Sequence, residues 1–179
     1  MDARLLRVVV TGSECTGKTT LARELATHFG TSWSPEYVRE YLDGKGAPLT
    51  LADVDAIARG QMAAEDEAAR RASRIVLHDT DLLSTVVYSR HYYGSCPEWV
   101  ERSARERRAD LYLLLRPDVP WVADPQRDRG ERREEIHELF RGALGEFRAP
   151  SRELSGTWTE RRGRALAAIY GLLAGKREA

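Results

Sequence analysis

Apolar residues along this 179-residue chain keep two rhythms. One is a short unbroken run of Val, Ile and Leu, closed by Gly, Asp or Pro, which suits a strand buried on both faces. The other is a recurrence every three or four residues, as on a helix with one covered face. Leu5–Val10 forms the first strand, and Leu21, Leu25 and Phe29 predict a first helix over Lys18–Phe29. A short second strand falls at Ser32–Ser34, before Pro35. Thr50 with Asp53 reads as a capping box opening a long Ala-rich helix to Arg71. Ile75–Leu77 is a third strand ending at Asp79, and Leu111–Leu115 a fourth, stopped by Arg116-Pro117. Arg152–Leu154 is a short fifth strand; Thr157 with Glu160 then caps a last helix carrying Leu166, Ile169 and Leu173. Strands alternating with helices predict an α/β fold, three layers around a parallel sheet of about five strands in the order 2-3-1-4-5. No repeat, low-complexity tract or long linker interrupts the pattern, so residues 1–179 are read as one domain.

Charge and cysteine usage narrow the picture. Twenty-eight Lys+Arg balance 28 Asp+Glu. That balance argues against coating nucleic acid or an anionic membrane, since both reward a basic excess. Cys15 and Cys96 supply neither a disulfide framework nor a zinc site, so the expected location is a reducing cytoplasm. The N-terminal apolar run is too short for a signal sequence or a membrane span. Lysine is scarce: Lys18, Lys45 and Lys176 stand beside 25 arginines. A motif that demands a lysine is correspondingly harder to match by chance.

Such a motif is present. Gly12-Ser13-Glu14-Cys15-Thr16-Gly17-Lys18-Thr19, followed by Thr20, fits the P-loop pattern G-x-x-x-x-G-K-[ST] at every position, between a buried strand and an amphipathic helix. A glycine-rich turn there lets backbone N–H groups face a phosphate while the helix N-terminus adds positive potential. Lys18 is placed to reach the β- and γ-phosphates of ATP, and the Thr19 hydroxyl to ligate Mg²⁺. In an open parallel sheet the ligand sits beyond the carboxyl ends of the strands. Asp79 and Asp81, in Asp79-Thr80-Asp81, lie at such an end. Asp79 is the candidate for the metal shell or, with roles exchanged with Glu36, for the catalytic base, and Asp81 either meets the substrate or caps the helix from Leu82. Glu36 and Arg39, three apart after the second strand, share a helical face. They offer a base for an acceptor hydroxyl and a ligand for its oxygens, or else a solvated ion pair. Trp121 to Gly130 is rich in turn formers, and its Arg127 and Arg129 suit a lid, about residues 117–130, closing over phosphates. Arg132, Arg133 and the run Glu101–Arg108 read as solvated helix faces, and His78 as a packed histidine. Trp33, Tyr37, Tyr92, Tyr93 and Trp121 are candidates to stack on a flat ring, or else core aromatics.

Taken together these segments resemble the ribosylnicotinamide kinase domain of the NadR-type NAD-biosynthesis proteins. The resemblance rests on G-S-E-C-T-G-K-T (Gly12–Thr19), E-Y-V-R-E-Y (Glu36–Tyr41), D-T-D (Asp79–Asp81), Y-x-G (Tyr92–Gly94) and W-V-A-D-P-x-R (Trp121–Arg127), in that order over roughly residues 5 to 145. It implies a nucleoside-kinase-like P-loop fold; NadR proteins carry an adenylyltransferase domain ahead of the kinase, and as a departure from that pattern none is expected here. It also implies ATP- and Mg²⁺-dependent phosphorylation of the 5′-hydroxyl of nicotinamide riboside to nicotinamide mononucleotide. By the same resemblance, Glu36 and Arg39 stand on the acceptor side. A polynucleotide or other nucleoside 5′-kinase would use the same phosphate machinery, and a non-catalytic ATP-sensing module is the alternative from another class. A guanine-specific switch is excluded as far as it needs N-K-x-D, because the chain contains no asparagine.

Overall fold

The structure, a computed structural model, describes residues 4–119 and 132–175. Five strands, β1 (Leu6–Gly12), β2 (Trp33–Ser34), β3 (Ile75–Asp79), β4 (Leu111–Leu115) and β5 (Ser151–Leu154), form one parallel sheet in the order β2-β3-β1-β4-β5. The helices are α1 (Lys18–Phe29), α2 (Tyr37–Lys45), α3 (Val54–Arg70), α4 (Leu82–Tyr93), α5 (Glu98–Glu106), α6 (Arg133–Glu146) and α7 (Trp158–Gly175). Order, strand positions and the first helix are as the hydrophobic pattern predicts. The long helix differs at its start: Thr50 and Asp53 do form the capping box, but on a 3₁₀ turn, Leu51–Asp53, that feeds α3.

Strand alternation sorts the core into two layers. Val8, Val10, Leu77, Leu113 and Leu115 pack with Leu21 and Leu25 of α1 and Ile169 of α7. Val9, Tyr112 and Leu114 face the opposite way, onto Leu83 and Val86 of α4, Val100 of α5 and Phe140 and Leu144 of α6. Because β1 is flanked by β3 and β4, its C-terminal end meets both neighbours there: Val10 pairs with Asp79, and Gly12 with Leu115. That register sets the start of the P-loop beside the first carboxylate of Asp79-Thr80-Asp81. Among the described residues no helix is long and apolar enough to cross a membrane.

Candidate active site

The loop from Gly12 to Lys18 is built from the core outward. Ser13, Thr16 and Lys18 are buried; Thr16 Oγ1 and Lys18 Nζ each donate to the Ser13 carbonyl at 2.9 Å. The turn demands left-handed backbone at Cys15 (φ 53°) and Gly17 (φ 90°). At Gly17 a Cβ would also lie 2.8 Å from the Trp158 ring, so glycine serves both the turn and a close packing partner from α7. Asp79 closes the foot of the loop. Its Oδ2 accepts from Thr19 Oγ1 at 2.5 Å, and its Oδ1 is buried without a partner among the described residues. Burial first, then the charge of nearby Glu36, lifts the Asp79 carboxyl to about 6, against the pull of Lys18. Thr19 and Asp79 are hard oxygen donors of the kind Mg²⁺ takes. No cluster of three or more His, Cys, Asp or Glu able to hold a metal occurs among the described residues. A cation here would draw its other ligands from phosphate oxygens and water.

Thr80 takes a left-handed turn (φ 65°), uncommon and costly for a β-branched residue. The turn separates the two aspartates. Asp79 stays with the P-loop, whereas Asp81 goes into the core: Oδ1 accepts the Leu83 N–H at 3.1 Å and Oδ2 the Tyr112 hydroxyl at 2.6 Å. Asp81, a candidate for substrate contact, is therefore the N-cap of α4, held by β4, and does not line the cleft.

Beside the P-loop opens a cleft of about 820 Å³. Glu14, Lys18, Glu36 and Arg39 line its near end. Leu42 and residues 46–49 form one wall, with Val54 and Ile57 behind, and Ser84, Thr85, Tyr88 and Tyr92 of α4 form the other. Glu36 precedes α2, and its Oε2 accepts from Arg39 Nε at 3.1 Å. Tyr88 and Tyr92 stack nearly parallel, ring centroids 6.0 Å apart. Tyr37, by contrast, lies outside the lining: its ring rests on Gly60 of α3, where a Cβ would approach it to 1.9 Å. Trp121, Arg127 and Arg129 lie outside the described residues.

Three residues escaped the sequence reading. Gln61, buried in α3, accepts the Tyr37 N–H through Oε1 at 3.0 Å and donates through Nε2 to Glu65 (3.3 Å) and the Thr80 carbonyl (3.5 Å). Arg133, expected in solvent, is half-buried. Its Nη2 donates to the Val119 carbonyl at 2.9 Å, while Nε and Nη1 are buried with no partner among the described residues. It shares a small cavity with Ser13, Glu14 and His91. Arg107, also expected in solvent, binds Asp66 at 2.6 Å and the buried Glu65 at 3.2 Å. Burial lifts the Glu65 carboxyl to about 7, further raised by Asp81 and opposed by Arg107. The face Ser84-Tyr88-Tyr92, at i, i+4 and i+8, was a readable signal. The contacts of Gln61 and Arg133 span elements far apart in sequence and left none.

At the outer edge of the phosphate end, Arg161 of α7 is fully buried. It donates to the carbonyls of Gly156 (2.9 Å) and Arg116 (3.1 Å) and pairs with Asp118. Asp118 Oδ2 in turn accepts the Gly156 N–H at 2.7 Å. The segment leaving β4 is thus tied to the turn before α7, beside the P-loop.

A protein-family profile described as an AAA domain matches residues 7–161. The chain belongs to that family. Over 127 residues it is 36% identical to the trifunctional NAD biosynthesis/regulator protein NadR of Escherichia coli (strain K12), covering 69% of this chain and 31% of that protein. It therefore spans about a third of the length of this relative. A crystal structure of NadR protein in complex with NR is similar at TM-score 0.76 and 27% identity, over 93% of this chain and 50% of that one. Thymidylate kinase from Ehrlichia chaffeensis shares the fold at TM-score 0.65 and 14% identity, over 94% of this chain and 98% of that one. This AAA-family P-loop domain thus has the architecture that nucleoside and nucleotide kinases also use.

Proposed function

We propose that the protein is an ATP- and Mg²⁺-dependent kinase for a small nucleoside, transferring the γ-phosphoryl group to the 5′-hydroxyl of nicotinamide riboside and yielding nicotinamide mononucleotide. The observation that carries this reading is the meeting of Lys18 and Glu36 in one cleft. One is the phosphate-binding lysine of a P-loop; the other is a carboxylate able to receive a hydroxyl proton.

The lining also speaks to the acceptor. Among the described residues its only cations are Lys18 and Arg39. Lys18 belongs to the phosphate cradle and Arg39 is paired with Glu36. An acceptor already carrying a phosphate would need cations of its own, so the cleft suits an uncharged hydroxyl end. Tyr88, Tyr92 and Tyr93 also line it and suit a flat, electron-poor ring such as a pyridinium. The relative NadR has been solved with NR.

In this mechanism the P-loop amides and Lys18 hold the β- and γ-phosphates. Thr19 and Asp79 would hold Mg²⁺, which when bound offsets charge on the phosphate oxygens. Glu36 takes the proton as the acceptor oxygen bonds to the γ-phosphorus, and the bond to the β–γ bridging oxygen breaks to release ADP. Arg133 faces Ser13 and Glu14 as a cation for the group in transfer, and Arg127 and Arg129 are proposed to join it from the lid. The test is ATP consumption across a panel of nucleosides, nucleoside monophosphates and a 5′-hydroxyl oligonucleotide, with product mass measured. Turnover with nicotinamide riboside, giving a product one phosphate heavier, is expected. Preference for a nucleoside monophosphate or the oligonucleotide would replace the acceptor. ATP binding without any turnover would favour a sensing module.

A further inference from the structure

The acceptor wall has an unusual attachment. Helix α2 contains no buried residue, although Val38, Arg39 and Leu42, with residues 46–49 after it, line the cleft. A nine-residue helix is too short to persist without tertiary support, and its apolar side chains, Tyr37, Val38, Tyr41 and Leu42, are only half-buried. The support comes from α3 and the turn before it, at two points.

At the N-terminal end of α2, Gln61 accepts the Tyr37 N–H and the Tyr37 ring lies on Gly60. A glycine inside a long helix costs about 1 kcal/mol relative to alanine, so its place in α3 calls for a reason. The reason is space, because the ring occupies the volume where any Cβ would go. At the C-terminal end Asp53 gathers four donors. Oδ1 accepts from the Tyr41 hydroxyl at 2.8 Å. Oδ2 accepts from Lys45 Nζ, from Thr50 N at 2.7 Å and from Thr50 Oγ1 at 2.9 Å. Gly60 and Asp53 thus fix both ends of the segment whose middle lines the cleft, and neither residue lines the cleft itself.

We propose that Gly60 and Asp53 are positioning residues for acceptor selection, seating α2 and residues 46–49 as a separable wall of the cleft. The inference deepens the kinase reading and rests on it for what the wall selects. Replacing either residue loosens or displaces the wall while the P-loop, built into the core on the far side of β3, keeps its geometry.

The experiment compares wild type with Gly60→Ala, Asp53→Asn, Tyr37→Ala and the Tyr37→Ala/Gly60→Ala pair. Its readouts are steady-state kinetics on the nucleoside panel, affinity for a non-hydrolysable ATP analogue, melting temperature and amide hydrogen exchange. Gly60→Ala is expected to raise acceptor KM about tenfold and flatten preference across the panel, with ATP-analogue affinity and melting temperature unchanged. In the Tyr37→Ala background the same substitution adds little, because the ring it displaces is gone. Asp53→Asn speeds exchange at residues 37–49 and leaves α1 protected. Unchanged acceptor KM and selectivity in both single variants would overturn the proposal. So would losses of acceptor and nucleotide binding that track a common fall in melting temperature. If wild type phosphorylates nothing on the panel, the kinase reading fails by itself. Exchange then judges the seating, and unaltered protection over residues 37–49 in Asp53→Asn would sink it.

Discussion

At the phosphate end of the cleft, Ser13, Thr16 and Lys18 are buried in a loop that continues β1, the middle strand of the sheet. At the end proposed to hold the acceptor, Glu36 and Arg39 belong to a segment with no buried residue, fastened to α3 through Asp53, Gln61 and the Tyr37–Gly60 contact. Phosphoryl transfer requires the first arrangement whatever the acceptor, and there the geometry is secured by core packing. The second, in the proposed function, has to match one acceptor, and it is held by a few polar contacts and one ring contact that can change without disturbing the core. In such a molecule specificity can vary at little cost to stability, whereas the phosphate machinery cannot.

The largest expected effect tests the phosphate end. Lys18→Ala should lower kcat about 10²–10³-fold while melting temperature holds, since the lysine's amine donates to a carbonyl of its own loop. A variant with most of its activity would remove the basis of the comparison. Next in size, Glu36→Gln should lower kcat about 10²-fold and leave ATP-analogue affinity intact. An equal loss of nucleotide affinity would show that the two ends are not separable.

A third, smaller effect follows from Asp79. Its carboxyl titrates near 6 and must be charged to hold a cation. Thus kcat/KM should fall about tenfold per pH unit below that value, and Asp79→Asn should weaken the Mg²⁺ dependence. A profile flat down to pH 5 would place the metal elsewhere. The smallest effect is on stability. Glu65 titrates near 7, and Asp79 and Asp81 near 6, all above the 3.8–4.5 of unfolded carboxyls. Between about pH 4 and pH 7 these three groups hold more protons in the folded state than in the unfolded chain, so their contribution to stability falls as pH rises through that window. Against these three stands the single contribution of His78, whose burial lowers its imidazole to about 3. Asp53, Asp55 and Glu146 are shifted the other way, and their contribution is lost in stronger acid. A melting temperature higher at pH 7.5 than at pH 5 in the nucleotide-free protein would contradict this.

Much of the phosphate end was legible because it is local. Gly12 to Thr19 lie in one continuous stretch, and the strand before and helix after declare themselves by periodicity. Asp79 was placed by a general property of parallel sheets. The acceptor end depends on distant partners. Nothing near Tyr37 in sequence shows that its ring will be taken by Gly60, nor does the Arg132-Arg133 pair show that Arg133 will donate to the Val119 carbonyl beside a cavity shared with Ser13. That Asp81 could cap the helix from Leu82 was readable; that the left-handed turn at Thr80 would also send it to Tyr112, a partner 31 residues away, was not. The capping box at Thr50 was readable; that Asp53 also binds Tyr41 and Lys45, and so anchors a wall of the cleft, was not.

The contact between Gly17 and Trp158 bears on the order in which the molecule comes to life. One face of the nucleotide loop rests on a residue 141 positions downstream, and the neighbouring segment after β4 is anchored by Arg161, later still. On a ribosome, β1 and α1 emerge before α7, yet the loop between them stays without its backing until the chain has grown past Trp158 and α7 has docked. A nascent chain stalled short of that point should therefore gain no protease protection from ATP, and protection should arrive abruptly once α7 is clear of the exit tunnel.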